Sequence, residues 1–121
     1  MSFFKRLFGG KPEPAPQNPF NQLVRIDIPL AEGAFGLAAE RDRWFGLEDD
    51  LEEALEGSPL GELDGNEIGE GSYSIYLYAK NAVELADFVR TRLPAMPPGT
   101  TMFLRHGDVE DKNAREETIA L

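Results

Sequence analysis

Apolar and polar positions alternate along L-V-R-I-D-I-P-L. Val24, Ile26, Ile28 and Leu30 fall on one side, Arg25 and Asp27 on the other, which is the period of a half-buried strand. Pro29 cannot donate to a ladder and marks the strand's end or an edge. The next stretch, A-E-G-A-F-G, carries two glycines and reads as a loop. From Ala38 to Glu56 the period lengthens. Trp44, Leu47, Leu51, Ala54 and Leu55 recur at three- and four-residue spacing, while Glu48, Asp49, Asp50, Glu52, Glu53 and Glu56 fill the other side. The pattern predicts an amphipathic helix stopped by Gly57-Ser58-Pro59. It is either continuous or divided at Gly46, where glycine costs roughly 1 kcal/mol relative to alanine.

Two further strands are predicted over Leu63–Ile68 and Ser72–Lys80, joined by a turn at Gly69-Glu70-Gly71. In the second, Tyr73, Ile75, Leu77 and Ala79 share one face, and Ser72, Ser74, Tyr76, Tyr78 and Lys80 the other. Asn81 stands three residues before Glu84, the spacing of a helix N-cap and its reciprocal partner. The helix that follows turns Leu85, Phe88, Val89 and Leu93 inward and stops at Pro94. T-T-M-F-L-R-H alternates again, and the final E-T-I-A-L is expected as its hairpin partner.

The order is strand, helix, strand, strand, helix, strand, strand. It points to an α+β domain with a ferredoxin-like split βαβ sheet. Right-handed crossovers would put two helices on one face of the sheet, and the last strand would be an extra C-terminal edge strand. The opposite face is then left open, with Tyr76 and Tyr78 on it beside Arg25 and Asp27. If Met102 and Leu104 point inward, Phe103 and Arg105 join them. Aromatic and arginine side chains gathered on one uncovered face mark an interaction surface.

This domain is expected over residues 23–121. Residues 1–22 read as a flexible tail, because Pro12, Pro14, Pro16 and Pro19 forbid a helix between them. Ahead of the prolines, Phe3, Phe4, Leu7 and Phe8 form a short amphipathic tip with Lys5 and Arg6 opposite. Such a tip would dock on the domain itself, in a partner's groove, or weakly on a membrane surface.

Charge sharpens the picture. The 121-residue chain carries a net charge of -10 and no cysteine, which excludes disulfides and thiolate chemistry. Twelve acids and two arginines lie between Glu40 and Glu70. Such a field repels phosphates, so nucleic-acid binding would lose its counterion-release contribution; a basic partner would be drawn in faster. An RNA-recognition sheet is also disfavoured by detail: Glu70 precedes Gly71, and Ser72 and Ser74 stand where its first aromatics belong.

Asp64-Gly65-Asn66 opens like a calcium loop, but Ile68 and Ile75 occupy positions that need oxygen ligands. A bulged hairpin accounts for the same residues. Asp64, Asn66, Glu67 and Glu70 leave a weak enzyme or a weak hard-cation site as an alternative. His106 is the single histidine, and no nucleophile elbow or phosphate loop is present. The sequence therefore predicts no enzyme, no cofactor and no metal.

L-E-D-D-L-E-E-A-L, G-E-L-D-G-N-E-I-G-E-G-S-Y-S-I-Y-L-Y, the P-P-G-T-T-M-F-L-R-H-G strand and the E-E-T-I-A-L ending resemble a group of small bacterial α+β proteins. These carry a D-G-N-E-x-G hairpin followed by an aromatic strand. The resemblance covers residues 23–121 and implies a fold and a bacterial, cytoplasmic setting, with no activity attached.

The resulting expectation is a non-catalytic acidic protein-binding module. It would contact a protein partner or a second copy through Tyr76, Tyr78, Arg25 and Phe103, helped by the Asp64, Asn66 and Glu67 ribbon. An antidote-like protein masking a basic partner is one variant. A protein held at the inner face of the membrane by F-F-K-R-L-F is another.

Overall fold

A computed structural model of the chain describes residues 20–108 and 110–121. The predicted tip at Phe3, Phe4, Leu7 and Phe8 lies outside the described residues. Among those described, the elements in chain order are β1 (Gln22–Pro29), α1 (Ala38–Leu55), β2 (Gly61–Gly69), β3 (Ser72–Ala79), α2 (Ala82–Arg90), β4 (Thr101–Arg105) and β5 (Glu116–Ala120). The fold is α+β. The strands form one five-stranded sheet in the order β2-β3-β1-β4-β5, antiparallel at every junction. It follows that β1 and β2 run the same way with β3 between them, and that β3 and β4 run the same way with β1 between them.

The period-two pattern decides which side of the sheet is covered. Val24, Ile26 and Ile28 of β1, Tyr73, Ile75 and Leu77 of β3, and Met102 and Leu104 of β4 are all buried. They join Trp44, Leu47, Leu51 and Leu55 of α1 and Ala82, Leu85, Ala86 and Val89 of α2 in one apolar cluster. Both helices therefore cover the same side. With Met102 and Leu104 inward, Phe103 and Arg105 stand on the other, which was conditional in the sequence.

Local chemistry fixes the joints. Leu37 at the start of α1 has no acceptor with which to cap the helix. Instead the Glu40 carboxylate accepts from the Leu37 N–H at 3.1 Å and from the Ala31 N–H at 2.8 Å. Those two bonds hold its pKa below the usual carboxylate value. Helix α1 runs unbroken through Gly46. At α2, Asn81 Oδ1 accepts from the Glu84 N–H as its spacing predicts, and the Gln22 side chain accepts from the Ala82 N–H. The helix stops at Arg90, short of the expected Leu93, although Leu93 still packs on the core.

Two glycine positions are required by geometry. A Cβ on Gly61 would lie 2.3 Å from the Tyr78 carbonyl oxygen, so only glycine lets β2 begin so close to β3. In the turn between β2 and β3, Glu70 and Gly71 have φ of 52° and 80°, the left-handed pair of a two-residue hairpin turn.

Candidate functional site

Strand register lays the uncovered face out in cross-strand rows. The central row runs Gly65, Tyr76, Arg25, Phe103, Thr118 across β2, β3, β1, β4 and β5. One flanking row is Glu62, Tyr78, Leu23, Arg105, Glu116; the other is Glu67, Ser74, Asp27, Thr101, Ala120. Arg25 thus sits between two aromatic rings on directly opposed positions. Its guanidinium lies 4.7 Å from the centre of the Phe103 ring, close enough for a cation–π contact.

Hydrogen bonds hold this surface in one arrangement. Arg25 Nε contacts both oxygens of Asp27 at 3.0 Å, and the Ser74 hydroxyl donates to Asp27 Oδ1 at 2.7 Å. Tyr76 donates to Glu67 Oε1 at 3.1 Å. Partial burial, then that bond to Glu67, push the Tyr76 phenol above its ordinary pKa, so at neutral pH it stays a donor. Arg105 pairs with Glu116 and also donates to the Asp111 carbonyl. Tyr76, Tyr78, Arg25 and Phe103 are each half-buried, ordered by neighbours yet reachable from solvent.

The acidic ribbon does not act as one surface. A bulge between Leu63 and Gly65 makes Asp64 an extra residue in β2, and it is buried instead of offered to a partner. Beyond the bulge, Glu67 faces the open side and bonds to Tyr76, whereas Asn66 turns to the helix side. There the Asn66 amide donates to Glu48 Oε1 at 2.7 Å.

Glu48 is the functional-looking residue that sequence reasoning misplaced. It was expected on the solvent side of α1 with the other acids; the structure leaves it only 8% exposed. Its Oε1 accepts from Asn66 and from the hydroxyl of Tyr73. Burial pushes the Glu48 carboxyl above its ordinary pKa, against those two bonds, which favour the charged form. Burial and the adjacent carboxylate also push Tyr73 far up. The signal was present: Trp44, Glu48, Leu51 and Leu55 follow one helical stripe. With Tyr73 fully buried, the three groups pin α1 to the hairpin.

The remaining candidates are spread apart. Asp49, Glu52, Glu53, Glu56 and Glu62 line a groove of about 770 Å³ between α1 and the start of β2, with Phe20 in its wall. His106 lies at the far side of the sheet, 3.2 Å from Glu117. Among the described residues, no group of three or more acidic, histidine or cysteine side chains is placed to hold a metal ion, and no helix is long and apolar enough to cross a membrane. No family model, curated protein or solved structure matches this chain.

Proposed function

We propose that the protein is a non-catalytic interaction module that pairs with a second copy of itself, uncovered sheet face against uncovered sheet face. The observation that carries this reading is the row Tyr76–Arg25–Phe103, an aromatic–guanidinium–aromatic stripe on the side of the sheet that no helix covers. Tyrosine, phenylalanine and arginine are the residue types enriched where protein surfaces meet.

Charge distribution favours a second copy over a basic partner. Helix α1 alone holds seven acids against two arginines. The open-face rows carry Arg25 and Arg105, both ion-paired, against Asp27, Glu62, Glu67 and Glu116, a milder acidic excess than that of α1. A basic protein would be drawn to the helix layer. Two open faces meeting would keep the acidic helices on opposite outer sides of a two-sheet stack. Stacked sheets are about 10 Å apart, already more than the Debye length of about 8 Å at physiological salt.

We also infer that the sheet is the split βαβ arrangement with β5 added beside β4. The support is the interleaving of β3 between β1 and β2, and of β1 between β3 and β4, each pair joined through a helix. Five strands spaced about 4.8 Å apart give a face about 20 Å across, and stable interfaces bury about 800 Å² per partner. Pairing is therefore expected to depend on concentration.

Light scattering over a concentration series tests the proposal. The native chain should rise from its 13.4 kDa mass toward twice that value, and Tyr76→Ser/Tyr78→Ser should stay at the lower mass while melting cooperatively. A native chain that remains monomeric, or a variant that pairs equally well, would refute it.

A further inference from the structure

A second concavity lies in the helix layer and shares no residue with the open sheet face. It is a groove of about 540 Å³ between α1 and the segment after α2, with Arg43, Trp44, Gly46, Asp50, Arg92 and Leu93 among its lining residues. Three features of it bear on what it could hold.

Gly46 is the first. It sits in the middle of α1, where glycine is disfavoured relative to alanine. A Cβ there would meet nothing within 4 Å, so no close packing inside the chain calls for it. What its missing side chain leaves open is the groove. Trp44 is the second. The indole is 2% exposed, and its Nε1 has no hydrogen-bond partner, a state that is rare for a buried donor.

The arginines are the third. Arg43 lies 4.6 Å from the Trp44 ring centre and donates to the Ala95 carbonyl. Arg92 lies 3.8 Å from the Phe88 ring centre and donates to the Thr91 hydroxyl. The ion pairs found among the described residues involve Arg25, Arg105 and His106, so neither groove arginine forms one there, in a chain whose net charge is -10. Asp50 is the one carboxylate among the lining residues, which leaves the local balance positive.

We propose that this groove binds a small amphipathic anion, a molecule with an apolar body and one carboxylate or phosphate head. The guanidiniums of Arg43 and Arg92 take the head, since their fork of donors matches either group. The Trp44 N–H, buried and unpartnered, is a further donor on a residue that lines the groove. The apolar body lies along the helix backbone at Gly46, against Leu47, Leu93 and Pro94, in space that a side chain would otherwise fill. The groove volume falls in the usual range for small-molecule sites, about 300–1,000 Å³.

Trp44 is the single tryptophan of the chain, so its fluorescence reports on the site directly. The full chain is titrated with octanoate, with octyl phosphate, and with octanol as the uncharged control. A saturable change with at least one anion is expected, about tenfold weaker for Arg43→Gln/Arg92→Gln and abolished by Gly46→Leu. Because nothing lies near the Gly46 Cβ position, Gly46→Leu should keep its helical circular dichroism and melt no lower than the native chain, glycine being the poorer helix former. The preference between the two anions identifies the head group. No response to either anion, equal binding of octanol, or full binding by the arginine double variant would overturn the proposal.

Discussion

Tyr73 and Tyr76 stand three residues apart on β3, and each donates its hydroxyl to a glutamate. The odd spacing sends them to opposite sides of the sheet. Tyr73 meets Glu48 beneath α1, where both are buried; Tyr76 meets Glu67 on the open side, where Glu67 is exposed. The same chemical pair therefore has two uses. Inside, it replaces the water that a buried carboxylate has lost and locks a helix to a hairpin. Outside, it only orients a ring that a partner can reach.

That contrast can be broken by removing one hydroxyl at a time. Tyr73→Phe takes a donor from a buried carboxylate and should lower stability in urea unfolding by about 2 kcal/mol at neutral pH. Tyr76→Phe removes an exposed bond and should change it by less than about 0.5 kcal/mol. Equal losses would mean that the two environments do not differ as described.

A pH series sharpens the inner half of the comparison. Burial raises the Glu48 carboxyl above its ordinary value of 4.5, so the native state holds that proton more tightly than the unfolded chain does. Its contribution to stability is full below about pH 4.5 and is lost as pH rises through the raised folded-state value. Glu48→Gln keeps an acceptor for Tyr73 and Asn66 and removes the titration. The stability of the native chain minus that of Glu48→Gln should thus fall as pH is raised. Glu40, whose pKa is shifted the other way, is common to both proteins and cancels. A difference that stays flat, or rises, would contradict the burial of this carboxylate.

A smaller effect than that of Tyr73→Phe belongs to the turn that serves both faces alike. Glu70 adopts φ 52°, where asparagine is more at ease. Glu70→Asn should stabilise the fold by up to about 1 kcal/mol in the same urea experiment without altering self-association. A change in association would show that the hairpin tip contributes to the interface.

Much of this division between faces is legible in the sequence, because alternation along β1 and β3 assigns each side chain without reference to neighbours. The direction of Phe103 needed the pairing of β4 with β1. The facing of Asn66 and Glu67 depended on one extra residue, since a bulge exchanges inside for outside in everything beyond it. A trace of that bulge is readable: Leu63 and Ile68, both packed on the core, are an odd number of residues apart, which regular alternation forbids. Glu48 was hidden by its company, an acidic residue in an acidic run, although its position in the Trp44–Leu51–Leu55 stripe placed it inward. The bond from Ala31 to Glu40 left no local pattern to read, because a loop's path is set by what it folds back upon, whereas the Leu37–Glu40 bond has the three-residue capping spacing.

The central claim is that copies of this protein meet through the Tyr76–Arg25–Phe103 side of the sheet. A dilution series followed by amide proton–nitrogen correlation spectra tests it residue by residue. Concentration-dependent shifts should gather on residues 23–27, 74–78 and 101–105 and leave the exposed side of α1 unmoved. Shifts confined to α1, or none at any concentration, would contradict the account.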